Sequence, residues 1–539
     1  MVSNTTGPIT GDPQIRAAVA RLVPRSDRAD NPQRLVETFV DNGIIGLVDV
    51  DRNQVIYGRR GTGKTHVLNV LQSLWTDRPQ TCVVYLDMRT LGSSTLFTDN
   101  ARPMHERFIG LYKDVLTSLY NVLLEYAIDV APGDVDAALN DLGDIERQLT
   151  YSESEATSSR SRVVETLDKG DSLSASASIS HLGVQVGAEL GSEHRASTTQ
   201  EEERSRNERP KMIFPAVYDA FQAVLEHLEV DRFLILIDEW SSIPPDLQPY
   251  LAELLNRVFF ANRKVTIKIA TLEFRSRFVS FNDQGYKEFG LELGGDLESV
   301  DLDDFYVYDK DPAGTEATFA DVLFRHVNST LEVNNYLMER WRIESAANFA
   351  DVFFTESAFK ELVRAAEGVA RDLLQIFARS YTHAWRNTAA RITGPNVTVA
   401  ARDWYESDKQ ANLGDDQHAL LRKLIEDVIG AKRARSFMVA REDSNSPLLR
   451  SLIDQRVVHM IRKGYADKDN PGARYNIYTL DYGCYVDLKG TKTEPQFILP
   501  LEDVSGPPED FVVPFDDHRS IRRIIVPRNL LFPDPSASR

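Results

Sequence analysis

Gln54-Val55-Ile56-Tyr57-Gly58-Arg59-Arg60-Gly61-Thr62-Gly63-Lys64-Thr65-His66-Val67-Leu68 is the stretch on which the fold turns. Residues 54–57 are a short apolar run and residues 64–73 carry a helical spacing, so a strand enters a glycine-rich turn that opens into a helix. The turn, residues 58–65, matches the phosphate-binding spacing G-x-x-x-x-G-K-[ST]. Glycines at 58, 61 and 63 let the backbone close round an anion with its N–H groups turned inward. The helix starting at Lys64 aims the positive end of its dipole at the same point. This spacing assigns Lys64 to the β- and γ-phosphates of ATP and the Thr65 hydroxyl to Mg²⁺. Gly58, Arg59, Arg60, Gly61, Thr62, Gly63, Lys64, Thr65 and His66 are therefore the expected cofactor-binding residues. An ordinary glycine turn is the competing reading, and the strand before and the helix after it argue against that.

Such a loop needs carboxylates to hold the metal and to activate water. Phe233-Leu234-Ile235-Leu236-Ile237-Asp238-Glu239 supplies a fully apolar strand ending in two acids. Asp238 would hold Mg²⁺, directly or through its water shell, and Glu239 would orient or deprotonate the attacking water. Any strand can end in acids, so the pair gains its meaning from the loop upstream. It favours hydrolysis over small-molecule kinase chemistry, because a kinase must keep water from the γ-phosphate.

Working outward, apolar runs at 82–86, 233–237 and 265–270 alternate with helical patterns at 107–127, 216–228 and 248–261, which predicts an α/β layer with a parallel sheet. From residue 315 onward the pattern is helical, through 331–344, 356–367 and 370–386, and Gly394-Pro395 reads as a domain edge. Residues 132–210 break the rhythm: ten serines fall between Ser152 and Ser180, with period-two alternation over 173–179 and 184–190 that fits an exposed hairpin or disorder equally well. The expected division is an N-terminal arm and helix (1–45), an ATPase core (46–310) carrying the insertion 132–210, a helical lid (311–410), a compact unit (411–490) and a tail (491–539). Over 539 residues, 62 Lys+Arg against 81 Asp+Glu give a net charge of −19, so nucleic acid could be met only through a local basic patch. Two cysteines, Cys82 and Cys484, offer neither a disulfide framework nor zinc spacing. No apolar stretch approaches membrane-spanning length and no signal peptide is visible, so a cytoplasmic protein without membrane contact is expected.

On the loop, the Asp-Glu strand and their order, the sequence resembles AAA+ ATPases, and its flanking segments resemble the initiator branch related to origin-recognition-complex ATPases, in a bacterial form. The resemblance covers residues 30–130 and 212–490. It implies a P-loop AAA+ core with a parallel sheet, a helical lid and a C-terminal winged helix. It also implies a polar residue after the next strand that helps position water, for which Thr271 stands where Asn is commoner. Glu367-Gly368-Val369-Ala370-Arg371-Asp372-Leu373 is similar to the lid-helix signature whose arginine touches the γ-phosphate, which implies Arg371. Arg275 or Arg277 is implied as a finger reaching a neighbouring subunit's site in a homo-oligomer. Against these stand a strand cap for Thr271 and solvated surface charge for the arginines.

The last unit reads as a helix at 418–428, an apolar piece at 437–439, a helix at 448–461 and a β-wing over 464–478. Residues 417–490 hold thirteen Lys/Arg against nine Asp/Glu, a local excess of +4. Lys432, Arg433, Arg435, Arg441, Arg450, Arg456, Arg462, Lys463 and Arg474 could meet DNA phosphates, with Tyr475 and Tyr478 nearby. Use of the same unit only for protein packing is the alternative. The expected function is a DNA-associated, ATP-hydrolysing protein: initiator-like, a loader, or the ATPase arm of a prokaryotic defence (antiviral) or mobile-element system, with an effector protein as a possible partner. A nucleotide-gated adaptor with little turnover is the second reading.

Overall fold

A computed structural model describes residues 7–22, 32–91, 98–129, 133–150, 152–154, 208–210, 213–305, 311–432, 434–466, 472–484, 486 and 524–533. Its centre is a five-stranded sheet built from β1 (Gln54–Tyr57), β2 (Thr81–Asp87), β5 (Arg232–Asp238), β6 (Val265–Thr271) and β9 (Glu298–Asp301). The order is β2-β5-β6-β1-β9, and every pairing is parallel. Strands covered on both faces must be apolar throughout, and Phe233 to Ile237 are accordingly fully buried. On one face pack Val67, Leu68, Leu71 and Trp75 of the helix Lys64–Thr76, continuous with the helical unit that follows the core. On the other pack the helices Met104–Asp129 and Phe214–His227. The expected fold class holds: an α/β core with a parallel sheet and a P-loop, followed by a helical unit.

Several expected boundaries move. The helix Val135–Thr150, expected inside the insertion, buries Ala138, Leu142 and Ile145 in the core. Strands β3 (Ser152–Ser154) and β4 (Glu208–Pro210) then pair antiparallel. The alternating stretch at 173–190 lies outside the described residues. An antiparallel pair, β7 (Val279–Phe281) and β8 (Lys287–Gly290), follows β6 without having been expected. Gly394-Pro395 opens a helix, Gly394–Trp404, instead of closing a domain, because Pro fits a first turn and Asn396 Oδ1 accepts from Thr393 N at 3.0 Å. The N-terminal segment is tied to the helical unit: Asp12 caps the helix Pro13–Ala20 and accepts from Tyr336 Oη (2.8 Å) and Trp341 Nε1 (3.0 Å).

The C-terminal unit holds the helices Asp415–Leu424 and Pro447–Asp454 and an antiparallel sheet of β10 (Ser436–Ala440), β11 (Val458–Ala466) and β12 (Arg474–Leu480), in the order β10-β12-β11. The helix expected over 448–461 stops at Asp454, since Arg456 adopts a left-handed φ of 61° and the chain turns into β11. Part of the expected tail belongs here: Met438 N donates to Ile524 O and Val526 N to Met438 O, and Leu531 is buried. Among the described residues no helix is long and apolar enough to cross a membrane.

Candidate functional site

The loop after β1 and the acids after β5 emerge at the same edge of the sheet, with β6 between their strands. Crevices at the carboxyl ends of parallel strands are where ligands of such sheets sit, and a cavity of about 370 Å³ opens there. Its wall holds the cations Arg60, Lys64, Arg89 and Arg371 together with apolar Leu22, Leu35, Phe39, Val40 and Leu374.

The loop's shape follows from its glycines. Gly61 and Gly63 hold φ of 87° and 101°, conformations that side chains with a Cβ resist. Gly61 also lies against the lid: a Cβ there would come within 2.7 Å of Arg371 Cβ, and Arg371 N donates to Gly61 O at 3.1 Å. Lys64 Nζ donates to Gly58 O (2.8 Å) and Arg59 O (3.0 Å). Burial lowers the Lys64 ammonium below the usual lysine range, against the pull of Glu239, Asp303 and Asp238. A phosphate group beside it would favour the charged form.

Asp238 is 1% exposed and fully engaged. Its Oδ2 accepts from Thr65 Oγ1 and from Tyr85 Oη, each at 2.7 Å, and its Oδ1 accepts from Glu239 N at 2.8 Å. Hard oxygens on a hydroxyl and a carboxylate, brought together beside the phosphate loop, suit Mg²⁺. Glu239 stands in the cavity wall with a left-handed φ of 54°, the kind of backbone strain that collects at working sites. Tyr85 is the residue that sequence reasoning missed. Burial and the neighbouring Asp238 raise its phenol well above the ordinary range, so it stays a donor. Its signal was a hydroxyl inside the apolar run 82–86.

Other expected site residues fall elsewhere. Thr271 is fully buried, its Oγ1 is 2.5 Å from Ser276 Oγ, and it does not line the cavity, whereas Leu272 does. Gly58 and Arg59 sit behind the loop: Arg59 N and Nε meet Asp303, and Arg59 Nη2 donates to Glu367 O at 2.8 Å. Arg275 and Arg277 are both exposed, and Arg275 is paired with Asp454 of its own chain. His66 lines the cavity, bonds to Leu35 O through Nε2 and is kept neutral by burial.

Several basic residues expected on a DNA face are turned inward. Arg456, 6% exposed, pairs with Asp372 and Asp408, and Arg435 pairs with Glu367; Lys463 stays exposed but is paired with Glu273 at 2.8 Å. Arg450 lies 5.5 Å over the Phe274 ring. Tyr478 is buried and stacks on Phe437, so it packs the sheet and offers no face to a base. Lys432, Arg441, Arg462 and Arg474 are exposed, and Arg433 lies outside the described residues.

No family model matches the chain, and no curated protein matches it. Among solved structures it is similar to Cdc6p from Pyrobaculum aerophilum at 12% identity, covering 88% of this chain and 95% of that one, with a TM-score of 0.31. The RuvB Holliday junction branch migration motor of Thermotoga maritima matches at 10% identity over 85% and 93%, with a TM-score of 0.30. The Aeropyrum pernix ORC1 protein in complex with DNA matches at 12% over 86% and 93%, with a TM-score of 0.27. At such identities and scores the chemistry has to be read from the site itself.

Proposed function

We propose that the chain is an AAA+-type ATPase that binds ATP with Mg²⁺ at residues 58–65 and hydrolyses it. The observation that carries this reading is the junction of Thr65, Asp238 and Tyr85 beside Lys64, with Glu239 and Arg371 in the wall of one cavity. Lys64 and Arg371 would neutralise charge on the β- and γ-phosphates, Thr65 and Asp238 would hold the metal, and Glu239 would orient or deprotonate the attacking water. The apolar part of the lining would take the base. Thr271 is not included in this assignment, since it is fully buried and does not line the cavity.

Lys64→Ala should lose nucleotide binding. Glu239→Gln should keep binding and lose turnover, trapping the ATP state. Calorimetry and phosphate release test both: wild-type affinity in the first variant, or wild-type turnover in the second, sinks the assignment.

We further propose that the protein forms homo-oligomers with nucleotide, Arg277 being the remaining candidate finger, and that it engages DNA as an initiator-like protein, loader or defence ATPase. The helix–strand–helix–hairpin order of the C-terminal unit supports a winged-helix reading, and exposed Lys432, Arg441, Arg462 and Arg474 are its DNA-facing candidates. The adaptor reading draws support from a different observation, the retention of Arg275 by Asp454 in the same chain, where a finger has to be free. Turnover stimulated by DNA favours the first reading; tight nucleotide retention with negligible turnover favours the second.

A further inference from the structure

A buried chain of charges runs from the back of the phosphate loop into the C-terminal unit. Arg59 Nη1 meets His459 Nδ1, and His459 Nε2 lies 2.9 Å from Asp481 Oδ2. Asp481 takes Lys409 Nζ at 2.6 Å, Lys409 reaches Asp372 at 2.9 Å, and Asp372 pairs with Arg456. Asp372, Lys409, Asp481, His459 and Arg456 are all under a tenth exposed. The geometry fixes the tautomer. Arg59 can only donate, so His459 Nδ1 accepts and its Nε2–H donates to Asp481. Burial and the Arg59 charge keep the imidazole neutral, although the Asp481 carboxylate pulls the other way. The ligand atoms of Glu367, His459 and Asp481 lie close enough together for a metal ion. Arg59, Arg435 and Lys409 already supply the positive charge there, so no cation is called for.

Both nucleotide-facing segments hang from this chain. On the loop side, Arg59 O is the acceptor of Lys64 Nζ and of Thr62 Oγ1, so the residue gripped by His459 also seats the phosphate lysine. On the lid side, Glu367 is held through its carbonyl by Arg59 and through its carboxylate by Arg435. Asp372, next to Arg371, is held by Arg456 and Lys409. Apolar side chains would hold two units together at least as firmly, because buried ion pairs recover little beyond their own desolvation. What these pairs add is connectivity: they link groups of the loop and lid to the C-terminal unit, and coupling travels through such contiguous networks.

We propose that the C-terminal unit is a working part of the nucleotide site: His459 is a positioning residue that holds Arg59, and through it Lys64, so that nucleotide affinity and docking of the C-terminal unit are coupled. The proposal rests on the nucleotide-site reading above. By linkage the coupling is reciprocal: docking raises affinity, and nucleotide tightens docking by the same factor.

The test uses the full chain and Mg-ADP. His459→Leu removes both hydrogen bonds at similar volume, while His459→Gln keeps an acceptor and a donor. At a temperature well below unfolding, His459→Leu should weaken Mg-ADP binding by about tenfold or more, and His459→Gln should restore most of it. In the wild type, Mg-ADP should slow backbone hydrogen exchange in 457–461 and 479–482, a readout that needs no variant to fold. A stable His459→Leu protein with wild-type affinity overturns the proposal. So does failure of His459→Gln to recover affinity, or exchange in those segments indifferent to nucleotide. Absence of Mg-ADP binding in the wild type would instead remove the nucleotide-site reading itself, and this proposal with it.

Discussion

Gly61 and Gly63 make a matched pair in which one contact can be isolated. Both hold left-handed φ, of 87° and 101°, so an alanine at either position carries the same backbone strain, about 1–2 kcal/mol. They differ in what the new methyl meets. At Gly63 nothing lies within 4 Å, whereas at Gly61 the methyl comes within 2.7 Å of Arg371 Cβ and 3.2 Å of Arg371 Nε and Val369 Cγ1. The closest of these, Arg371 Cβ, lies at the root of the lid helix, Ala370–Arg386, and cannot give way as the tip of a flexible side chain would. The overpacking should cost about 1–3 kcal/mol more at Gly61 than at Gly63. That strain bears on the hydrogen bond from Arg371 N to Gly61 O. The readout is backbone hydrogen exchange of the Arg371 amide in nucleotide-free protein, which reports local opening. It should run about 5- to 150-fold faster in Gly61→Ala than in Gly63→Ala, the range those energies convert to. Nucleotide-free protein is specified because a methyl at either position would crowd a bound phosphate. Equal exchange in the two variants would falsify the close contact between loop and lid, and with it the route by which Arg371 is brought to the cavity.

Tyr85→Phe removes one donor from Asp238 and leaves Thr65 in place, so the Mg²⁺ needed for half-maximal nucleotide binding should shift by about 1–2 kcal/mol, roughly tenfold, with little change in folding; magnesium titration in the two proteins checks it. His459 and His326 are held neutral down to about 4, mainly by burial, while an unfolded chain protonates them near 6.5. The unfolded state therefore binds more protons between those values, and stability should fall as pH drops from about 6.5 to 4, by on the order of 3 kcal/mol for each histidine. Asp372 and Asp481, held below the usual carboxylate range despite burial because Arg456, Lys409 and His459 face them, add a further loss only below about 4. Denaturation followed across pH separates the two windows, and a flat profile between 6.5 and 4 counts against the histidine environments. Arg456→Ala should destabilise the C-terminal unit by about 1.5–3 kcal/mol, because buried Asp372 loses one of its two cationic partners and keeps Lys409. Arg441→Glu/Arg462→Glu/Arg474→Glu should leave stability intact and abolish any salt-sensitive DNA binding, which gel-shift titration against the wild type would show.

The fold was legible where burial acts on both faces of an element. Runs at 82–86, 233–237 and 265–270 became β2, β5 and β6 within a residue or two, because strands covered by helices on both faces are mostly apolar, even though β6 buries Lys268 and β2 lies at the sheet edge. β9, Glu-Ser-Val-Asp, carried no signal of its own: it is an edge strand defined by its partner β1, and none of its residues is fully buried. The 448–461 helix failed for the opposite reason. Its apolar periodicity continued past Asp454 into Val457 and Val458, which are as buried in β11 as they would be in a helix. At the site, the loop and the Asp238-Glu239 pair were readable because their chemistry is local in sequence. Tyr85 was not, since its role comes only from lying across the sheet from Asp238. Thr271 illustrates the reverse case, a plausible residue at the right position whose hydroxyl is turned to Ser276.

Charge was the least legible property, because a count gives each lysine or arginine the same weight wherever it points. The excess of +4 over residues 417–490 includes Arg435, Arg456 and Lys463, all neutralised by acids from other parts of the chain. Among the exposed basic residues, two are neighbours on one sheet. Arg462 lies on β11 and Arg474 on β12, adjacent strands of one sheet. Arg462 is three residues from His459, which at about 3.3 Å per residue is roughly 10 Å along the same strand. One strand thus carries a candidate phosphate-backbone contact and the histidine that grips the nucleotide loop. This shortens the physical path that coupling between DNA and nucleotide would need, from a chain of intervening domains to three residues of β11, across the register shift between Met460 and Arg462. Such coupling makes a specific demand: DNA should alter nucleotide affinity in the wild type, and His459→Leu should abolish that effect while leaving DNA binding in place. If DNA shifts affinity equally in both proteins, the two surfaces communicate by another route.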